Sequence, residues 1–278
     1  MNLQQIASEI REILENKRKQ LKLTFVEDTH SYTIKKYNSD ELTSEYPSVS
    51  SVIKQFYIPF PAEEKSLQMS NGDLNKQKLL LEAWKQTAVY ANNVGSRVHF
   101  ELEKDLINRY NNYKDVRKPI FECDEQQMLV SNNMITAGKS YLDLMIKDRK
   151  AILLDTESVL GCNQLCYTGQ PDKVWLMLSK TGELGFVVTD YKSNKPKNFE
   201  VHHYTGKMLT PFEKYDDTAL THYYIQLPLY AKLILAMLKN SKYNNIKFLG
   251  AVVVLLKENS SFVEYKIPTD IINKVMSL

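Results

Sequence analysis

The chain has 278 residues, 43% of them hydrophobic, and a formal net charge of only +3, so it can bury one substantial core and must confine any nucleic-acid binding to a local patch. Three cysteines, Cys123, Cys162 and Cys166, cannot supply the four thiolates of a conventional iron–sulfur cluster or a disulfide framework; no cluster and a reducing, cytoplasmic compartment are expected. The opening residues, including Glu9, Arg11, Glu12 and Glu15, are too charged for a secretory leader, and no apolar run approaches the ~20 residues of a membrane span.

In chain order, residues 2–20 read as a charged amphipathic helix, either a solvated terminal helix or a partner-binding element. Phe25 to Lys36 reads as a short hairpin, and residues 48–56 as a serine-capped helix ended by Pro59 and Pro61. The pattern over 73–110 is mostly helical, with a break expected around Asn92 to Gly95 and Ser96 capping the helix that follows. Another long helix is expected over 124–149. Sheet strands run from 152 through 192, a long helix covers about 217–239, and Lys247 to Leu256 and Phe262 to Ile267 add two strands. The expected organisation is an N-terminal elaboration over 1–90 and a core over 91–278, packed as one unit.

The segments Asp172 to Leu178 and Gly185 to Lys192 form a predicted hairpin, folded back by the turn Ser179-Lys180-Thr181-Gly182-Glu183. Alternation puts Phe186, Val188, Asp190 and Lys192 on one face and Val187, Thr189 and Tyr191 on the other. A carboxylate and an ammonium thus emerge side by side beyond apolar residues, and strand pairing brings Asp172 close to Asp190. Two carboxylates so placed repel unless a cation lies between them, and hard oxygen donors suit Mg²⁺ or Mn²⁺. With Lys192 beside them, such a site can activate water and stabilise charge on a phosphate. The alternative is a hairpin with solvated charges at its ends.

Other pairs share a helical face through a spacing of four. His99 and Glu103 are either a metal ligand with its support or a surface pair, while Gln226 and Tyr230 are either near a site or amphipathic packing interrupted by Pro228. Between the hairpin and the second pair, Lys192, Lys195, Lys197, Lys207 and Lys214 alternate with Phe199, His202, His203, Tyr204, Phe212 and Tyr215. Bases stack on aromatics and phosphates pair with lysines, so this stretch is a candidate path for a single strand; a solvated loop with packed aromatics is the alternative.

Taken in order, Gly95-x-x-x-His99-x-x-x-Glu103, Gly169-Gln170-Pro171-Asp172, Asp190-Tyr191-Lys192 and Gln226-x-x-x-Tyr230 resemble the PD-(D/E)xK nuclease superfamily in its RecB-type branch. Phage-encoded exonucleases and the mitochondrial genome maintenance exonuclease family are similar in character. His30-Ser31-Tyr32 and Pro47-Ser48-Val49-Ser50-Ser51-Val52-Ile53 are similar to the opening of those phage enzymes, with Ser50 where threonine is usual.

The resemblance implies an α/β, restriction-endonuclease-like core: a central mixed β-sheet flanked by helices, with a mainly helical N-terminal elaboration. It implies that His99, Asp172, Asp190 and the backbone carbonyl of Tyr191 hold Mg²⁺ or Mn²⁺ and that Lys192 is the catalytic lysine. Glu103 would act near the metal through water or as a support, and Glu157 would take the place of an acidic residue on the first sheet strand. Gln226 and Tyr230 would contact DNA or brace Lys192, with Lys195, Lys197 and Tyr204 along the DNA path. The activity implied is a metal-dependent deoxyribonuclease, an exonuclease on single-stranded DNA or duplex ends. DNA is its partner, and a phage recombination or replication protein is a further one if the source is a phage. A structure-specific or nicking endonuclease is the first alternative. A non-catalytic DNA-binding module is the second, although no metal ligand of the pattern is missing.

Overall fold

The computed structural model describes residues 2–26, 29, 31–43, 45–111, 113–116, 121–193, 199 and 206–278. Helix α1 (Leu3–Gln20) starts where the Asn2 side chain accepts from the N–H groups of Gln4 and Gln5, and it buries Ala7, Ile10 and Leu14 along one stripe. Strands β1 (Thr24–Val26), β2 (Ser31–Lys35) and β3 (Leu42–Thr43) make a small antiparallel sheet. Ser48 caps the short α2 (Val49–Ile53), and α3 (Ala62–Met69) leads into α4 (Leu74–Arg109), capped by Asp73. A capping box of Asp124 and Gln127 opens α5 (Glu125–Asp143), which ends in one π-helical turn.

Next come β4 (Ile152–Thr156), the small hairpin β5 (Leu160–Cys162) and β6 (Tyr167–Gly169), and the long hairpin β7 (Lys173–Leu178) and β8 (Leu184–Lys192). Helix α6 (Ala219–Leu238), β9 (Lys247–Leu256), β10 (Phe262–Lys266) and α7 (Thr269–Ser277) complete the fold.

The protein is a mixed α/β fold whose central sheet, in the order β10-β9-β8-β7-β4, is antiparallel except for the β8–β9 pair. Sheet residues on one face, including Val174, Phe186, Val188 and Val253, pack with α1, α6 and α7. Alternate residues on the other face, including Trp175, Tyr191 and Val254, pack with α4 and α5. Strand β4 lies at one edge, where α1 covers it: Arg11 donates to the Leu153 carbonyl at 2.8 Å, and Arg18 donates to the Val159 carbonyl at 3.0 Å and pairs with Asp155. Among the described residues, no helix is long and apolar enough to cross a membrane.

The break expected around Asn92 to Gly95 does not occur. Helix α4 runs on through it, because Val94, Val98, Leu102 and Leu106 bury one continuous stripe, worth more than the roughly 1 kcal/mol that an interior glycine costs. Ser96 is therefore mid-helix rather than a cap. Gly95 serves close approach instead: a Cβ there would lie 3.3 Å from the Ser193 Oγ, just beyond β8. Pro228 likewise stays inside α6 without ending it.

Gly185 allows β8 to lie close to β9. A Cβ at this position would stand 2.7 Å from the Lys247 carbonyl oxygen and 2.4 Å from the Leu249 Cγ, and the backbone cannot yield without opening the β8–β9 ladder. Gly185→Ala is expected to lower the unfolding free energy by about 1–3 kcal/mol, read as a lower urea midpoint at unchanged slope.

Candidate metal centre

The β7–β8 register pairs Lys173 with Thr189, so one residue further along Asp172 faces Asp190 at the end of the hairpin. Both carboxylates are buried, at 8% and 3% exposure. The Asp172 Oδ2 accepts the Tyr191 N–H at 2.8 Å, which fixes it against the neighbouring strand. From the α4 side, the His99 imidazole turns its Nδ1 toward this oxygen at 3.3 Å and toward the Glu157 Oε1 at 3.6 Å. Its Nε2 faces the Tyr191 carbonyl oxygen at 3.1 Å.

Glu157 reaches the cluster through an unusual backbone. It follows β4 with φ of 43°, the left-handed region that side-chain-bearing residues seldom enter. Its N–H donates to the carbonyls of Pro171 and Asp172 at 3.1 and 3.2 Å. The Gln170 amide holds the other end, donating to the Glu157 carbonyl and Oε2, each at 3.1 Å. Two neighbours of Asp172 in the chain thus orient Glu157. His99, Glu157 and Asp172 each place one ligand atom within 4.8 Å of the others.

Electrostatics link these groups. Burial alone would lower the His99 pKa, but the charge of Asp172, then Glu157, outweighs it and the imidazole is raised to about 10. Burial works against the charge of Asp172, yet His99, with Lys192 and Lys173, holds it well below the usual carboxylate range. Asp190 goes the other way: burial and the charge of Asp172 raise it to about 7 against the pull of Lys192. The Lys192 Nζ stands 2.6 Å from the Asp190 Oδ2 and 4.4 Å from the centre of the Tyr223 ring. Burial disfavours its charge, but Asp190 and Tyr223 raise its pKa above the ordinary lysine value.

The His99, Glu157 and Asp172 groups line a cleft of about 520 Å³, together with Phe100, Glu103 and Lys114. Cis ligands of a six-coordinate Mg²⁺ or Mn²⁺ lie roughly 3 Å apart, close to the separations between the imidazole and the two carboxylates. The donor set of carboxylate oxygens with one imidazole suits the same ions. Asp190 stands outside this cluster, on the Lys192 side of the strand.

Glu103 lies one turn beyond His99 and is buried, but it pairs with Lys114 at 3.1 Å rather than with the cluster. Burial raises its pKa, with Lys114 opposing. Gln226 donates to the Tyr230 hydroxyl at 2.8 Å. Tyr230 is 5% exposed, and a Cβ on Gly169 would fall 2.6 Å from its ring. It is wedged behind the Gly-Gln-Pro-Asp segment and braces it, with no face open to a base.

The expected strand-binding stretch divides. Lys195, Lys197 and Tyr204, with His202 and His203, lie outside the described residues. Phe199 and Phe212 are fully buried in the core, Lys207 pairs with Asp216 at 2.8 Å, and Lys214 and Tyr215 both bond Asp270. The apolar demand of the core claims Phe199 and Phe212, whereas Lys207 and Lys214 stay largely exposed in surface ion pairs.

Two residues of this region carry no mark in the motifs. Lys114 has no spacing relation to the other groups and reaches the cleft only through the tertiary fold. Lys173 is fully buried with its Nζ 4.1 Å from the centre of the Tyr191 ring; a lysine inside the run Lys173-Val174-Trp175-Leu176 was the available signal. Compared with known proteins, the chain matches no protein-family model and no curated protein sequence.

Proposed function

We propose that this protein is a Mg²⁺- or Mn²⁺-dependent deoxyribonuclease with a restriction-endonuclease-like core of the PD-(D/E)xK superfamily, RecB-type branch. It acts as an exonuclease on single-stranded DNA or duplex ends. The observation that carries the reading is the meeting of His99, Glu157 and Asp172 at 3.3 and 3.6 Å, directly beside the Asp190–Lys192 pair at 2.6 Å. Paired carboxylates, an imidazole and a buried lysine at one strand end are costly to keep together for stability alone.

His99, Glu157 and Asp172 would hold the ion. Asp190, whose charge burial and Asp172 disfavour, is the carboxylate that a nearby divalent cation would favour in its ionised form. When bound, that ion supplies Lewis-acid polarisation of the phosphodiester and acidification of a water. The chain itself does the rest. The Tyr191 N–H orients Asp172, Gln170 orients Glu157, and the Tyr191 carbonyl orients the imidazole. Lys192 keeps its proton and stabilises the charge that develops on phosphate. Gln226 and Tyr230 brace the segment that carries Asp172.

The raised His99 pKa sets a pH dependence. A protonated imidazole is no ligand, so at neutral pH the ion must displace a proton whose folded-state pKa has risen from 6.5 to about 10. The apparent Mn²⁺ affinity is expected to rise with pH through neutrality by up to about tenfold per unit. Calorimetry in two buffers of different ionisation enthalpy counts the released proton; binding without release would place the ion away from His99.

The functional test is cleavage of end-labelled linear single-stranded DNA beside its circular form, with Mg²⁺, Mn²⁺ or EDTA. Metal-dependent loss of the linear DNA alone supports the exonuclease. Cutting of the circle moves the assignment to an endonuclease, and intact DNA with either metal leaves a binding module.

A further inference from the structure

We propose that Lys114 supplies the second cation of this cleft from the chain itself, so that the site takes a single divalent ion. The inference rests on the metal-dependent reading above and specifies how many ions that site holds. Lys114 follows α4, and its ammonium pairs with the Glu103 Oε1 at 3.1 Å while donating to the carbonyl oxygen of Thr156. Thr156 directly precedes Glu157 and its hydroxyl donates to the Asp172 carbonyl at 2.7 Å, so the ammonium stands on the same wall as the cluster. A carboxylate and a backbone carbonyl are the hard oxygens a second Mg²⁺ or Mn²⁺ would use. Here both are already bonded to a tethered positive charge.

Charge points the same way. Of the four carboxylates that line the cleft, Glu103, Asp115, Glu157 and Asp172, Glu157 and Asp172 meet at His99, and the charge of Glu103 is already answered by the Lys114 ammonium. A second divalent ion beside Lys114 would find the Glu103 carboxylate and the Thr156 carbonyl already taken by the ammonium. Glu103 is buried on its helix at 5% exposure, so without Lys114 its charge must be neutralised by a proton or by an ion from solution. Lysine fits this role because its ammonium is a compact point charge on a flexible stem. The Lys114 side chain is still 23% exposed, which leaves it able to face an anionic substrate.

The test counts Mn²⁺ bound per full-length chain by electron paramagnetic resonance during equilibrium titration, independently of cleavage. Wild-type protein and Lys114→Arg are expected to bind one ion. Lys114→Ala is expected to bind two, and adding Glu103→Gln to it should return the count to one. Should Lys114→Ala lose its fold by circular dichroism, Lys114→Met, which keeps the stem, is read in its place. Two ions in the wild type, or one in the folded Lys114 variant, would overturn the inference while leaving the nuclease reading standing. No ion in the wild type would overturn the metal-dependent reading itself, and this inference with it.

Discussion

Asp172→Asn is expected to abolish metal-dependent cleavage and weaken Mn²⁺ binding by more than about 100-fold, while the protein stays folded. The lower bound follows because even partners that only orient a ligand cost 10–100-fold when removed, and Asp172 touches every part of the site. Its Oδ2 accepts from the Tyr191 N–H at 2.8 Å, lies 3.3 Å from the His99 Nδ1 and faces Asp190 across the hairpin. Asparagine keeps a carbonyl oxygen for the Tyr191 N–H, so the β7–β8 register survives. It removes the charge that holds the proton on His99 and that raises Asp190. The variant therefore separates the structural bond from the charge: folded protein with full cleavage would show that Asp172 only ties two strands together.

The hairpin was readable from sequence because its information is local. Alternation over Gly185 to Lys192 and a Gly-containing turn fix which residues share a face, and the observed pairing of Lys173 with Thr189 follows from that register. The unbroken α4 was not readable. A glycine closely following two asparagines weakens a helix locally, and only the burial of Val94 and Val98 against the facing layer decides the outcome. Glu157 was visible as an acidic residue in the right region, but its approach depends on a left-handed turn and on Gln170, which no periodicity encodes. Within the aromatic and basic stretch the phenylalanines misled: whether Phe212 stacks a base or fills a core depends on what lies above it, and the core lies above it. Lys114 illustrates the limit most plainly. Its partners Glu103, on α4, and Thr156, on β4, are brought to it only by the tertiary fold, and nothing in its own neighbourhood of the chain announces them.

Lys192→Met should separate catalysis from metal binding at this same strand end. The methionine keeps the unbranched stem and the apolar packing but removes the ammonium that stands 2.6 Å from Asp190. Cleavage is expected to fall by at least about 10²-fold, the scale of losing one preorganised group that meets developing charge. Stability shifts as well. Breaking a buried ion pair costs about 3–5 kcal/mol when the remaining charge has no outlet, but Asp190 has one, since its pKa already stands near 7 and it can take up a proton. The loss should therefore be smaller at pH 6 than at pH 8: with the raised value, the neutral form dominates on the acid side, and the unpaired charge is felt as pH rises through it. Added Mn²⁺ should restore much of the difference at pH 8, because a divalent ion near Asp172 favours the ionised form of Asp190. Thermal melts at both pH values, with and without Mn²⁺, read the stability effects, and single-turnover cleavage reads the chemistry. Full cleavage with lowered stability would reduce Lys192 to a counterion of Asp190, whereas lost cleavage with Mn²⁺-restored stability assigns its ammonium to the reacting phosphate.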